Sequence, residues 1–213
     1  MKILNLYAGL GGNRKFWTPN GDEHEITAVE IDPTIAKIYQ DFFPNDKMVV
    51  GDAHQYLLEH FEEFDFIWSS PPCPSHSRLN TASFPKGSRA YEFPDMKLYE
   101  EIIFLKHWFK GKYVVENVIP YYEPLIPAPV LDRHLFWTNF NLRDYTLKEE
   151  KESHETSQIP YLQEFLGFDL TPYKIGDKRQ LLRNCVIPEL GLHIFNCARD
   201  IISENHSQQV PLL

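Results

Sequence analysis

Ile3-Leu4-Asn5-Leu6-Tyr7-Ala8-Gly9-Leu10-Gly11-Gly12 begins as a short apolar run and breaks directly into a glycine-rich turn. Apolar residues in so short a run read as a buried strand. The glycines allow a tight turn and a close approach of backbone N–H groups to a ligand. Glu30 stands 21 residues beyond Gly9, at the end of a second strand-like run, Glu25–Ile31. That is the spacing at which an acidic side chain reaches a pair of ribose hydroxyls. A third run, Lys47–Val50, leads into Gly51-Asp52-Ala53, where Asp52 is placed to accept a hydrogen bond from an adenine amino group. Together these features point to an adenosine-containing ligand. The turn reads Gly-x-Gly-Gly, followed by Arg14 and Lys15, rather than the Gly-x-Gly-x-x-Gly that cradles a pyrophosphate. A ligand without a pyrophosphate is favoured over a nicotinamide dinucleotide.

Working outward, further strand-like runs are Phe64–Ser69, Lys112–Glu116 and His134–Phe140, with helical stretches between the runs. This alternation predicts an α/β fold built on an open, mostly parallel sheet. Asp95 caps the clearest helix, along which Leu98, Ile102, Leu105 and Phe109 form one apolar stripe. Two stretches are irregular. Residues 71–94 are rich in Pro, Ser, Gly and Asn, and a loop this long in a small domain is usually a lid or a binding element. Residues 148–172 are polar and then mixed.

With 213 residues, 43% hydrophobic and 24% charged, the chain has the size and composition of one globular domain. No apolar run approaches the roughly 18 residues of a membrane span. The N-terminus lacks the features of a signal peptide, so a cytoplasmic location is expected. Cys73, Cys185 and Cys197 are odd in number and widely spaced, which disfavours a disulfide framework, and none is set at metal-binding spacing. The net charge of −9 counts against a nucleic-acid partner when taken alone. Its distribution is more favourable: Arg78, Lys86 and Arg89 form a basic stretch free of acids, and Lys174 to Arg183 is basic on balance.

The chemistry concentrates at two strand ends. Ser69-Ser70-Pro71-Pro72-Cys73-Pro74-Ser75-His76-Ser77-Arg78 follows the fourth strand. The flanking prolines hold Cys73 on a stiff backbone, at the edge where open α/β sheets place their ligands. A nearby positive charge or a helix N-terminus would raise its thiolate fraction. Val114-Val115-Glu116-Asn117-Val118 ends the fifth strand, so Glu116 is expected beside Cys73, partly buried and able to give a proton.

In this order the motifs resemble those of the DNA cytosine-C5 methyltransferase family. Tyr7 to Gly12 resembles its cofactor motif I, with Tyr7 for the usual phenylalanine. Pro72-Cys73-Pro74-Ser75-His76-Ser77 resembles the nucleophile motif IV, with Pro74 for glutamine. Glu116-Asn117-Val118 matches motif VI, and Arg179 to Pro188 resembles motif IX, with Arg183 for glycine. Only Arg133 in Leu131-Asp132-Arg133-His134-Leu135 can stand for an arginine of the family's Gln-x-Arg-x-Arg motif, and His134 is its rival.

The resemblance implies a methyltransferase-type Rossmann-like sheet, S-adenosylmethionine as cofactor and duplex DNA as partner, in a small bacterial or phage-like member of the kind found in restriction–modification systems. It implies Cys73, Glu116 and Arg133 as catalytic groups. The cofactor would be held by Tyr7, Ala8, Gly9, Leu10, Gly11, Gly12, Glu30, Ile31, Asp52, Ala53, Pro72, Asn184 and Val186. Ser77, Arg78, Lys86, Arg89, Lys178 and Arg179 would contact DNA, the loop from Arg78 to Arg89 closing over a flipped cytosine. The expected organisation is a catalytic domain over 1–145, a reduced target-recognition insertion over 146–174, and a return to the catalytic domain over 175–213. So short an insertion implies relaxed specificity or help from a partner subunit or second copy. The rival readings are an RNA (tRNA) cytosine methyltransferase, whose Cys-Phe-Thr stretch is not found here, and a non-catalytic relative.

Overall fold

The computed structural model describes residues 1–18, 24–78, 92–146 and 158–201. Its strands are β1 (Lys2–Leu6), β2 (Glu25–Glu30), β3 (Lys47–Val50), β4 (Phe66–Ser69), β5 (Lys112–Val118), β6 (Val130–Leu131) and β7 (His134–Thr138). Its α-helices are α1 (Pro33–Phe42), α2 (Ala53–His60), α3 (Lys97–Trp108), α4 (Ile159–Leu166), α5 (Lys178–Arg183) and α6 (Pro188–Ala198). The strands form one sheet in the order β3-β2-β1-β4-β5-β7-β6. Pairings among β3, β2, β1, β4 and β5 are parallel, while β7 runs antiparallel to both β5 and β6. The expected open, mostly parallel α/β sheet is therefore present.

Period-two alternation assigns the two faces of the sheet. Leu4 and Leu6 of β1, Ile67 of β4 and Val115 of β5 pack with Leu98, Ile102, Leu105 and Phe109, the apolar stripe read from the sequence. Ile3, Phe66, Trp68 and Val114 point the other way, onto Trp17 and onto Leu190, Ile194 and Phe195 of α6. The Trp17 and Phe195 rings stack with centroids 5.2 Å apart. β1 and β4 are apolar on both faces because helices cover both, as central parallel strands require.

The segment expected as a recognition insertion contributes to this body. Residues 147–157 of it lie outside the described residues, but Leu162, Leu166, Phe168 and Leu170 are buried in a third cluster with Leu10, Ile38 and Leu182. Gly167, in the left-handed conformation, ends α4, and the Lys15 ammonium donates to the carbonyls of Leu166 and Gly167.

Element boundaries differ slightly from the sequence pattern. β5 continues through Glu116-Asn117 to Val118, because β7 pairs with it that far. Asp95 lies one residue before the cap of α3, its side chain accepting from Lys97 N at 3.1 Å. No helix among the described residues is long and apolar enough to cross a membrane.

The strand order reverses between β1 and β4, whose carboxyl ends diverge into separate loops. A crevice opens at such a switch point, and open α/β sheets bind their ligands there. The glycine turn leaves one side of this crevice and the Pro-Cys-Pro segment the other.

Candidate functional site

On the β1 side, the turn is held by backbone contacts and by one carboxylate. Ala8 N donates to Val29 O at 3.0 Å, and Gly9 N donates to Glu30 Oε2 at 3.0 Å. Glu30 Oε1 accepts from Asp32 N at 3.0 Å. A carboxylate has about four lone-pair sites, so two remain for ribose hydroxyls. Gly11 and Gly12 are fixed by crowding. A Cβ on Gly11 would lie 2.5 Å from the Phe43 ring, and one on Gly12 would lie 2.3 Å from Val186 O. The second contact brings the Asn184–Val186 segment against the turn. Gly9 instead faces open space, its nearest neighbour to an added Cβ being Tyr7 O at 4.0 Å.

Ile31, next to Glu30, is 68% exposed, a surface on which an aromatic base can lie. Asp52 caps α2, accepting from His54 N at 2.9 Å and Gln55 N at 3.2 Å, while Ala53 behind it is buried. An open glycine, a carboxylate with spare acceptors and an exposed aliphatic side chain fit an adenosine.

On the β4 side, the Pro-Cys-Pro segment is clamped to the exit of β5. The Asn117 amide donates to Pro71 O at 2.9 Å, and Tyr121 N to His76 O at 3.1 Å. Ser77 bridges Pro120, and Arg78 Nε donates to Pro120 O at 3.2 Å. His76 is fully buried, with Nδ1 2.6 Å from the Tyr122 hydroxyl. Burial pushes the His76 ring below the ordinary histidine range, so it serves as a neutral pin. Around Cys73 the chain makes one tight turn, His76 N and Ser77 N both donating to Cys73 O at 3.0 Å.

Burial pushes the Cys73 thiol up from its ordinary value, and the negative charge of Glu116 pushes it further. Glu116 is itself buried, on the strand adjacent to the one that leads to Cys73. The β5–β7 register sets Glu116 opposite Phe136 and Val118 opposite His134. Glu116 and His134 thus share a face, with His134 Nε2 3.5 Å from Glu116 Oε1. Arg133 is not brought to Glu116. Its side chain is 67% exposed and lies 3.5 Å from Asp132.

Of the other expected residues, Leu10 is buried in the third cluster and Pro72 is exposed. Val186 is buried and Asn184 exposed. Lys178 commits its ammonium to Leu170 O at 2.6 Å, whereas Arg179 on the same helix is exposed. Lys86 and Arg89 lie outside the described residues. Sequence reading passed over Glu101, which is 1% exposed and accepts hydrogen bonds from Tyr7, Ser69 and His54. The available signal was its position three residues after Leu98, on the apolar stripe of α3, where a carboxylate has no place unless it is paired.

A sheet in this order, with an adenosine-fitting turn on one side of its switch point and the strand ends bearing Cys73 and Glu116 on the other, has the Rossmann-like fold of S-adenosylmethionine-dependent methyltransferases. The fold matches that of the Entamoeba histolytica methyltransferase EhMeth, with a TM-score of 0.59 over 94% of this chain and 98% of that one, at 10% identity. The family of C-5 cytosine-specific DNA methylases matches residues 1–118, and this chain belongs to it. The chain is 32% identical over 80 residues to a tRNA (cytosine(38)-C(5))-methyltransferase of Spodoptera frugiperda, covering 36% of this chain and 24% of that protein. It is 32% identical over 87 residues to the type II methyltransferase M.Bsp6I of Bacillus sp. (strain RFL6), covering 41% and 26%. The matched segment thus spans about a quarter of the length of these relatives.

Proposed function

We propose that this chain transfers a methyl group from S-adenosylmethionine to carbon 5 of cytosine in DNA, through a covalent bond between Cys73 and the base. The observation that carries the reading is the Glu116–His134 pair where β5 and β7 meet, with Cys73 on the neighbouring segment that Asn117 and Tyr121 clamp to the exit of β5. It stands across the switch point from the Gly9–Glu30 turn. Carbon 5 of cytosine is a weak nucleophile. Addition of the Cys73 sulfur at carbon 6 turns the ring into an enamine whose carbon 5 can attack an electrophilic methyl. The sulfonium of S-adenosylmethionine supplies that methyl.

Glu116 gives a hydrogen bond or a proton to ring nitrogen 3, balancing the negative charge that develops as the thiolate adds. His134 orients the Glu116 carboxyl and takes the role of donor to the cytosine carbonyl in place of Arg133. Loss of the carbon-5 proton to a solvent base then expels the Cys73 thiolate and restores the aromatic ring. The target carbon is sealed within a stacked duplex, so the base must leave the helix, at a cost of about a few kcal/mol. The raised thiol keeps Cys73 largely protonated until that base arrives.

Residues 1–145 are assigned to catalysis, 146–174 to a reduced recognition segment that also packs on the body, and 175–213 to the return into the catalytic domain. Arg78 and Arg179 are offered to phosphates. A tRNA substrate is the second reading, favoured by the match to the Spodoptera frugiperda enzyme. Incubation with tritiated S-adenosylmethionine and either duplex DNA or tRNA separates the two. Label in DNA that is lost in Cys73→Ser supports the proposal, and label in tRNA alone overturns the DNA assignment.

A further inference from the structure

Glu101 lies on α3, outside every motif considered above, yet it gathers three parts of the site. Its Oε1 accepts from the Tyr7 hydroxyl at 2.6 Å and faces His54 Nδ1 at 2.9 Å, while Oε2 accepts from the Ser69 hydroxyl at 2.5 Å. Tyr7 opens the glycine turn, His54 sits two residues after Asp52 on α2, and Ser69 ends β4 four residues before Cys73. An ionised carboxylate is costly to bury unless its oxygens are satisfied, so its presence at 1% exposure marks a fixed junction. Tyr7 adds an independent sign of constraint. Its φ of +55° is a left-handed conformation that a bulky residue keeps only where its surroundings impose it. Burial and the charge of Glu101 hold the Tyr7 phenol far above its ordinary value, so the hydroxyl remains a donor.

We propose that Glu101 is a positioning residue for methyl transfer, fixing the cofactor turn and the Asp52 cap in register with the strand that leads to Cys73. The proposal rests on the reading of the Gly9–Glu30 turn as the cofactor site. Lacing between α2 and α3 supports it: His54 Nε2 lies 3.3 Å from Glu100 Oε2, and Lys97 Nζ lies 3.9 Å from Asp52 Oδ2. The charged groups facing His54 are Glu101, Glu100 and Lys97 of α3, with Asp52 capping its own helix. The hydrogen bond to Glu101 is the strongest influence on the ring and raises its pKa, against the opposing pull of burial and Lys97. The clamp is therefore tightest when His54 is protonated, and it loosens as pH rises through that raised value.

The test is calorimetric titration of the full chain with S-adenosylhomocysteine at about pH 6 and about pH 8.5, either side of a raised histidine. Wild type is expected to bind more weakly at the higher pH. Glu101→Gln can still accept from Tyr7 and His54 and can donate to Ser69, so it keeps the packing and removes the charge. It should bind about tenfold more weakly at the lower pH and lose the pH dependence. Tyr7→Phe should also weaken binding several-fold, but keep the pH dependence, because the His54–Glu101 pair survives. A folded Glu101→Gln that binds with wild-type affinity and wild-type pH dependence overturns the proposal. Should Glu101→Gln not fold, unchanged affinity in Tyr7→Phe overturns it. Absence of binding by the wild type overturns the cofactor reading and this proposal with it, a result distinct from wild-type binding that the substitutions leave untouched.

Discussion

Asn117→Ala tests whether the Cys73 segment is held in place by the exit of β5. Asn117 is 1% exposed, and its amide makes two bonds: Nδ2 donates to Pro71 O at 2.9 Å, and Oδ1 accepts from Val118 N at 3.0 Å. Alanine removes both. Pro71 is buried and Val118 half-buried, so the orphaned carbonyl carries most of the penalty. A buried group left unpaired costs about 1–3 kcal/mol, which gives about 2–4 kcal/mol for the pair once partial access of water to Val118 is allowed for. At about 2–4 °C per kcal/mol for a chain of this size, the Tm should fall by about 5–15 °C. Urea unfolding followed by the fluorescence of buried Trp68 and Trp137 gives the free energy directly. The same variant should free the Pro71–Ser77 segment, so iodoacetamide should modify Cys73 faster than in wild type under native conditions. Stability within about 0.5 kcal/mol of wild type, with unchanged Cys73 alkylation, would refute the clamp.

Three further outcomes follow from the geometry. Alkylation of Cys73 in the unliganded protein should be slow at neutral pH and rise with pH. Glu116→Gln should move that profile to lower pH, since it removes the charge that helps hold the thiol up; a shift to higher pH would contradict the Cys73–Glu116 adjacency. Single-turnover methylation should drop by at least about tenfold in His134→Ala and change little in Arg133→Ala, because His134 and not Arg133 faces Glu116; the reverse ranking would return the role to Arg133. Gly12→Ala should destabilise the fold by about 1–3 kcal/mol in chemical denaturation, because its Cβ would lie 2.3 Å from Val186 O; a neutral result would deny the close packing of these two segments.

The sheet was legible because β4 is apolar up to Ser69, β1 is apolar but for Lys2 and Asn5, and the glycines stand where β1 must turn. The Gly9–Glu30 spacing singled out Glu30 as a partner for ribose hydroxyls, and the fold sets that carboxylate against the turn, where it also accepts from Gly9 N. The choice between Arg133 and His134 was not legible. A shift of one residue in strand register moves every side chain to the other face, and only the pairing of Val118 with His134 shows which of the two faces Glu116. Glu101 was hidden for another reason. A glutamate in an amphipathic helix reads as solvated, and its three partners come from positions 7, 54 and 69, which only the fold brings together. Glu116 was legible as the neighbour of Cys73 from the order of the strand ends, but its effect on the thiol was not, because that depends on burial that only the fold sets.

Trapping reveals whether Cys73 attacks a cytosine. Genomic DNA in which 5-azacytosine replaces cytosine presents every sequence context while blocking release of the enzyme. Incubation with S-adenosylmethionine, nuclease digestion and peptide mass spectrometry should then reveal a nucleotide adduct on Cys73, absent from Cys73→Ser. An adduct on another residue, or none on DNA while 5-azacytosine-substituted tRNA is trapped, would contradict the account.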